Sequence, residues 1–326
     1  MKALLVTVVL GPLALACGAP EPPPAAVPQQ PPPVAAVSAA PPVAAPPEAP
    51  APEPSKPAVA ALPPPKPTTI SLARTGDAAL DATLADADKA FEAGDLTKAL
   101  QGYEAARKAA PKRAAPIVGI ARVKVTKASP SLGFAAAEKQ PDVIAASKEL
   151  KRATEMEPGF GPAFVEHGRA LLLLGDAAQA EAALRKGARL VADEPEAHSA
   201  LGVALLAVGK AEEALAELTQ AKDLDSGSAA RRGNLGTVLF MRGKVAEAIQ
   251  EYQVQVRLAP DDPRARSDLG TALLAQSDFS RAIPELRRAI ELDPKRATFR
   301  SNLGYALQLE GKVTEAIAEY REAIRL

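Results

Sequence analysis

Through the second half of the chain, one pattern of small and apolar positions returns every 34 residues. Glycine stands at Gly168, Gly202, Gly236, Gly270 and Gly304, and alanine follows twelve residues later at Ala180, Ala214, Ala248, Ala282 and Ala316. A second glycine comes seven residues after the first at Gly175, Gly209, Gly243 and Gly311, with Ser277 as the exception. Bulky residues fill the spaces between; in unit 229–262 they are Leu235, Leu239, Ile249 and Tyr252. This spacing predicts two helices per unit, here over 231–242 and Val245–Leu258. Gly243-Lys244 makes the turn, because glycine accepts the positive φ that ends a helix. Pro260 stops the second helix, as Pro111, Pro158 and Pro294 do elsewhere, while Pro195 and Pro263 open first helices. Gly236 and Ala248 are expected to face each other, since helices packed about 8–10 Å apart need small side chains at their closest point. Pro284, inside a second helix, predicts a local distortion there.

Self-similarity of this length implies a stack of helix pairs, each burying its neighbour's apolar face. The pattern extends backwards. Ala99, Tyr103, Ala106 and Pro111 fit a second helix, so one unit spans 80–113. The next, 114–160, carries helices near 117–125 and 143–157, with extra length around 127–140 that is either a partner contact or a neutral insertion. The units are then 80–113, 114–160, 161–194, 195–228, 229–262, 263–296 and 297–326.

These residues resemble the tetratricopeptide repeat (TPR), a 34-residue helix–turn–helix unit. The family favours leucine-glycine in the first helix, as in Leu201-Gly202, Leu235-Gly236, Leu269-Gly270 and Leu303-Gly304. It favours alanine early in the second helix, an aromatic four later (Tyr252, Tyr320), alanine again (Ala221, Ala289, Ala323), and a late proline. The resemblance implies an all-α fold, a right-handed superhelical α-solenoid of about seven repeats over residues 68–326. It also implies a concave groove lined by first-helix positions two, five, nine, twelve and thirteen. Those positions are Val165, Arg169, Leu172 and Leu173; Ser199, Val203 and Leu206; Thr237, Phe240 and Met241; Ser267, Thr271 and Leu274; and Ser301, Tyr305, Gln308 and Leu309. Chaperone-binding members clamp a C-terminal carboxylate with lysine and asparagine. Here Gly233, Ser267 and Ser301 stand at the clamp-lysine position, which argues against a chaperone-tail receptor. The groove residues either hold an apolar segment of a partner protein or complete the packing between first helices.

The first sixteen residues differ from all this. Lys2 precedes an apolar run that ends in Ala14-Leu15-Ala16-Cys17, a run too short for a dependable membrane span and suited to a secretory signal. Cys17 is the only cysteine, so an internal disulfide is excluded. A lone cysteine in this place resembles the lipobox of bacterial lipoproteins, in which the cysteine is lipidated. Leucine usually stands where Ala14 is, and ordinary signal cleavage with a free thiol is the alternative. Gly18 after the cysteine implies, by enteric sorting rules, an outer-membrane lipoprotein facing the periplasm. Residues 17–67 hold most of the 32 prolines. Such a composition cannot bury a core, and it predicts a disordered, semi-stiff tether.

Charge removes other classes of function. The 39 basic residues are balanced by 39 acidic ones, which leaves neither the footprint of nucleic-acid binding nor a polybasic membrane patch. No Gly-x-Ser-x-Gly, phosphate-binding loop or His-Glu-x-x-His occurs, and no cofactor, metal or catalysis is expected. His167 takes a position that is leucine in other units and is expected inside; His198 takes one that is often aromatic. The paired acids Glu212-Glu213 and Asp261-Asp262 read as solvated faces. The expectation is a non-enzymatic, lipid-anchored scaffold for envelope proteins. Lipoproteins of this build resemble assembly factors of type IV pili, secretins and gliding-motility complexes, or adaptors that recruit peptidoglycan enzymes or proteases. In the last unit, Ile317, Tyr320, Ile324 and Leu326 form an apolar strip expected to dock a second copy of the chain or another envelope protein, or to fray in solvent.

Overall fold

A computed structural model describes residues 69–128 and 141–326. The expected lipidation site at Cys17, the Pro-rich segment and most of the 127–140 insertion lie outside the described residues. Among those described, fourteen helices form seven consecutive pairs: α1 (Ala78–Glu92) with α2 (Leu96–Ala109), α3 (Ala114–Ala128) with α4 (Pro141–Met156), α5 (Gly161–Leu173) with α6 (Ala177–Leu190), α7 (Pro195–Ala207) with α8 (Ala211–Leu224), α9 (Ala229–Met241) with α10 (Val245–Leu258), α11 (Pro263–Ala275) with α12 (Phe279–Leu292), and α13 (Ala297–Leu309) with α14 (Val313–Arg325).

Capping sets the helix starts. Asp77, Asp95, Asp176, Ser228, Asp262 and Asp278 each accept a backbone N–H of the following first turn. Ser228 explains why α9 begins two residues before the expected Arg231. Asp262 is the cap of α11 and not part of a solvated acidic face. The hairpin turns share one pattern. In the α7–α8 turn, Gly209 N–H donates to Leu206 O at 3.0 Å and Lys210 N–H to Leu205 O at 2.8 Å, a Schellman closure. The glycine there has φ 79°, and Ser277 holds the same place before α12 at φ 59°.

The repeated glycine has a different partner from the one its spacing suggests. A Cβ on Gly236 would meet the Tyr252 ring at 2.7 Å, and on Gly202 or Gly270 it would meet Leu218 or Leu286 at 2.5 and 2.7 Å. The glycine therefore receives the large side chain sixteen residues on. Ala248 is buried beside it, and in the equivalent pairs the Ala214 and Ala282 carbonyls lie 3.3 Å from that Cβ. Glycine is needed because a ring or a leucine lies flat on the first helix, so any added carbon would overpack the contact.

Each second helix packs on the first helix of its own pair and on that of the next, and first helices also touch one another along the stack. Contact between successive first helices draws that side of the array together, so the first helices line its inner face. Pro284 stands inside α12, which runs on from Phe279 to Leu292, so the proline does not end the helix. It is exposed, as is Ser280, whose carbonyl loses its N–H partner to the ring. Water reaches that carbonyl, and the helix continues.

Candidate protein-binding face

Position nine of successive first helices reads Asp88, Arg122, Arg169, Val203, Thr237, Thr271 and Tyr305. The inner face therefore changes chemistry along the stack, from charge through aliphatic to hydroxyl and aromatic.

From the N-terminal repeats to the start of α9 the charges form a continuous chain, buried at Asp88, Arg122, Glu166, Asp225 and Arg231 and half-buried at Arg169 and Glu196. Arg122 Nε donates to Glu166 Oε1 at 3.0 Å, and its Nη1 lies 3.5 Å from Asp88 Oδ1. Arg169 Nη1 stands 3.6 Å from Glu166 and 3.4 Å from Glu196. Arg231, 1% exposed, continues the chain to Glu196 at 3.6 Å and to Asp225. Tyr103 Oη donates to Asp88 Oδ1 at 2.7 Å. Burial raises the Tyr103 phenol well above its ordinary range. Burial also works to raise the Glu166 carboxyl, but Arg122 and Arg169 outweigh it and hold the group below its ordinary value. Glu196 goes the other way: burial raises it, against Arg169 and Arg231. Buried charges persist where every one is answered by an opposite charge, and this alternation provides that.

The C-terminal end has no such chain. Thr237 Oγ1 donates to Gly233 O at 2.9 Å and accepts from Tyr252 Oη at 3.2 Å. Thr271 Oγ1 donates to Ser267 O at 2.8 Å. Asn234 and Asn302, at position six, each reach back to the preceding first helix, to Ser199 Oγ and Ser267 Oγ at 3.2 Å. Asp268 holds the same position in α11. Burial pushes its carboxyl up to about 7, Asp262 adds to the rise, and Arg264 opposes it.

The sequence-derived groove residues divide by exposure. Val165, Leu172, Val203, Leu206 and Leu274 are all under 9% exposed, so they complete the packing between first helices and do not offer open surface. Arg169 belongs to the charge chain. Thr237, Phe240 and Thr271 are half-buried, while Gln308 is exposed, as are Met241 (52%), Tyr305 (51%) and Leu309 (45%). Two of the three clamp-lysine positions are closed: a Cβ on Gly233 would meet Gln255 at 2.5 Å, and Ser267 is buried, while Ser301 is half-buried. Asp88 and Arg122 are absent from the sequence-derived set, although the same position-nine spacing carried back into units 80–113 and 114–160 finds them.

The histidines have structural surroundings. His198 is buried, with Nδ1 2.7 Å from Glu217 Oε2 and Nε2 3.0 Å from Ala192 O. Burial lowers its pKa, but Glu217 and the carbonyl outweigh this and leave it raised. His167 is half-buried, not in the core as expected, and burial lowers its pKa. In the last unit Ile317 and Leu326 are exposed and Ile324 is 86% exposed; Tyr320 is half-buried, its hydroxyl 3.0 Å from Gln308 Oε1. Among the described residues, no group of three or more His, Cys, Asp and Glu is placed to hold a metal. No helix among them is long and apolar enough to cross a membrane.

Tetratricopeptide-repeat family models match residues 165–229, 267–326 and 205–268. Residues 165–326 are recognised as tetratricopeptide repeats. The fold likeness extends to solved structures. The APC/C hetero-tetramer Cut9–Hcn1 superposes with a TM-score of 0.61 at 19% identity, over 75% of this chain and 46% of that one. The chain thus spans under half the length of that TPR neighbour. A tetratricopeptide repeat protein from Parabacteroides merdae superposes with a TM-score of 0.52 at 12% identity, over 76% and 93% of the two chains. No curated protein matches. TPR arrays are in general non-catalytic scaffolds that hold other proteins.

Proposed function

We propose that this chain is a lipid-anchored scaffold of the cell envelope that holds a partner protein on the inner face of its C-terminal repeats. The observation that carries the reading is the open surface of α9, α11 and α13. There Met241, Tyr305 and Leu309 expose apolar area beside the half-buried Phe240, Thr237 and Thr271. Large apolar side chains left in water beside fixed hydroxyls suit an amphipathic helix or an extended segment, which would bury the former and bond the latter. Cys17, in its lipobox-like setting before a Pro-rich stretch, supports the anchor and an outer-membrane, periplasm-facing location. The build favours a part in assembling a pilus, secretin or gliding-motility complex.

Two experiments test this separately. Cys17→Ser should move the protein from the membrane pellet to the soluble periplasm; a pellet unchanged by the substitution rejects the anchor. A photo-crosslinking residue at Tyr305 or Met241 should trap one defined envelope protein in living cells, and the same probe at exposed Lys295 should not. Equal trapping at all three positions rejects the inner face as the site.

A further inference from the structure

Residues 69–77 precede α1 and form neither helix nor strand, yet they are held as tightly as a bound peptide. Ile70 and Leu72, two residues apart, are both completely buried. Side chains grip the main chain along its length, with Asp81 of α1 accepting from the Thr75 and Gly76 N–H groups at 2.8 and 3.2 Å. Leu72 N–H donates to Asp88 Oδ2 at 2.7 Å, and the Ile70 carbonyl accepts from Arg122 Nη2 at 2.7 Å. The Thr75 carbonyl accepts from Arg113 Nη2, also at 2.7 Å. Ser71 Oγ donates to Asp88 Oδ2 at 3.0 Å. Arg74 then pairs with Glu194, 120 residues along the chain, at the entrance to α7, with Asp193 3.8 Å away.

Asp88 and Arg122 are the position-nine residues of the first two repeats, the place from which a TPR groove meets its ligand. The strap therefore lies where a partner would. Its grip follows the logic of peptide recognition: alternate side chains seated in apolar surface, main-chain groups bonded between them, and a charge fixing the end. An end cap for the solenoid would need only to cover α1. This strap reaches α3 through Arg122 and the start of α7 through Arg74, and it supplies one of the acceptors that the buried Arg122 requires.

We propose that the inner face of the N-terminal repeats is a peptide-binding site which the chain fills with its own residues 69–75. A protein segment of the same pattern (apolar, hydroxyl, apolar, any residue, arginine) displaces the strap in trans. This site is distinct from the open C-terminal face and does not depend on the membrane anchor. A tethered segment competes at an effective concentration on the order of millimolar, so a free peptide binds the intact protein weakly and binds well once the strap is released.

The test uses the full chain and a fluorescein-labelled synthetic peptide, Thr-Ile-Ser-Leu-Ala-Arg-Thr-Gly, followed by anisotropy. The variant Ile70→Asp with Leu72→Asp should bind it at least about tenfold more tightly than the unaltered protein does. A peptide with aspartate in place of its leucine should bind neither. If the variant keeps its helical circular dichroism and gains no affinity, the strap is only an end cap and the proposal fails. If the variant loses its helices, amide exchange of the unaltered protein decides. Exchange of the Leu72 amide well ahead of the α3 and α5 amides means the strap opens on its own, as the proposal requires. Exchange in step with them overturns it.

Discussion

The N-terminal three repeats and the C-terminal three share one backbone plan and differ in what stands at position nine. Asp88, Arg122 and Arg169 make the first groove charged; its charges are paired, with Asp88 and Arg122 buried and Arg169 half-buried. Thr237, Thr271 and Tyr305 carry no charge at that position in the second groove, where Met241, Tyr305 and Leu309 are exposed. The difference shows in the helices themselves. α3 is buried at ten successive residues, Ala114 to Val123, and its Arg122 holds the Ile70 carbonyl of the strap. α13 buries only Phe299, Leu303, Gly304, Ala306 and Leu307, the side facing its neighbours. A TPR unit thus specifies how helices stack. What the inner face does is set by a few side chains that stacking leaves free to vary.

The largest expected break in this comparison is at Arg122. Its removal strands Asp88, Glu166 and the Ile70 carbonyl in the interior without their shared cation. Arg122→Met should cost about 3–5 kcal/mol in urea unfolding, since loss of one partner leaves buried charge uncompensated. The position-nine counterpart Thr271→Val, whose hydroxyl bonds only within its own helix and to Asn302, should cost about 1 kcal/mol. Equal costs would mean that the charge chain is not what distinguishes the two halves.

One buried carboxyl in each half, Glu166 and Asp268, should respond to pH with opposite sign. Glu166 is held below its unfolded value, so its contribution is present above the ordinary carboxylate range and is lost as pH falls through its lowered value. Asp268 is raised to about 7 from 3.8, so the native state binds the extra proton between those values. Stability from that site is therefore present below about pH 4 and is lost as pH rises towards 7. Asp268→Asn should raise stability at pH 8 by on the order of 2 kcal/mol and leave it little changed at pH 4. Glu166→Gln should destabilise at pH 8. An Asp268→Asn gain that is the same at both pH values would show that the carboxyl does not titrate in this window.

Most of the stacking is legible in the amino-acid sequence, because glycine and alanine spacings report the closest helix contacts directly. The period marks Gly236 as a place with no room for a side chain, but it points to Ala248 as the facing residue. Spacing shows that something small is needed, and only the packed helices show that the Tyr252 ring is what fills the space. The inner face is legible by position and not by exposure. Leu206 and Met241 both belong to the expected groove set, yet one is 7% and the other 52% exposed, because exposure depends on how neighbouring repeats pack. The strap leaves no periodic signal at all. Ile70 and Leu72 look like the ragged end of a Pro-rich stretch, and their meaning comes from Asp88 and Arg122, distant in sequence.

The smallest predicted effect isolates one turn of the open half. Five hairpin turns place glycine at φ between 73° and 87°, and the α11–α12 turn places Ser277 at φ 59°. The bonds are unchanged there: Ser277 N–H donates to Leu274 O at 2.8 Å and Asp278 N–H to Leu273 O at 3.1 Å, as Gly209 and Lys210 do in their turn. The serine therefore adopts the left-handed conformation for the sake of the closure, against the clash of its own Cβ with the backbone. Glycine lacks that clash but is freer in the unfolded chain, and the two effects oppose each other. The steric effect is the larger, so Ser277→Gly should raise stability by about 1 kcal/mol in urea unfolding. The reverse change in the equivalent turn, Gly243→Ser, should lower it by a similar amount. A neutral Ser277→Gly would mean that the serine meets no conformational penalty in that turn, and that the sixth repeat differs from its neighbours in sequence alone.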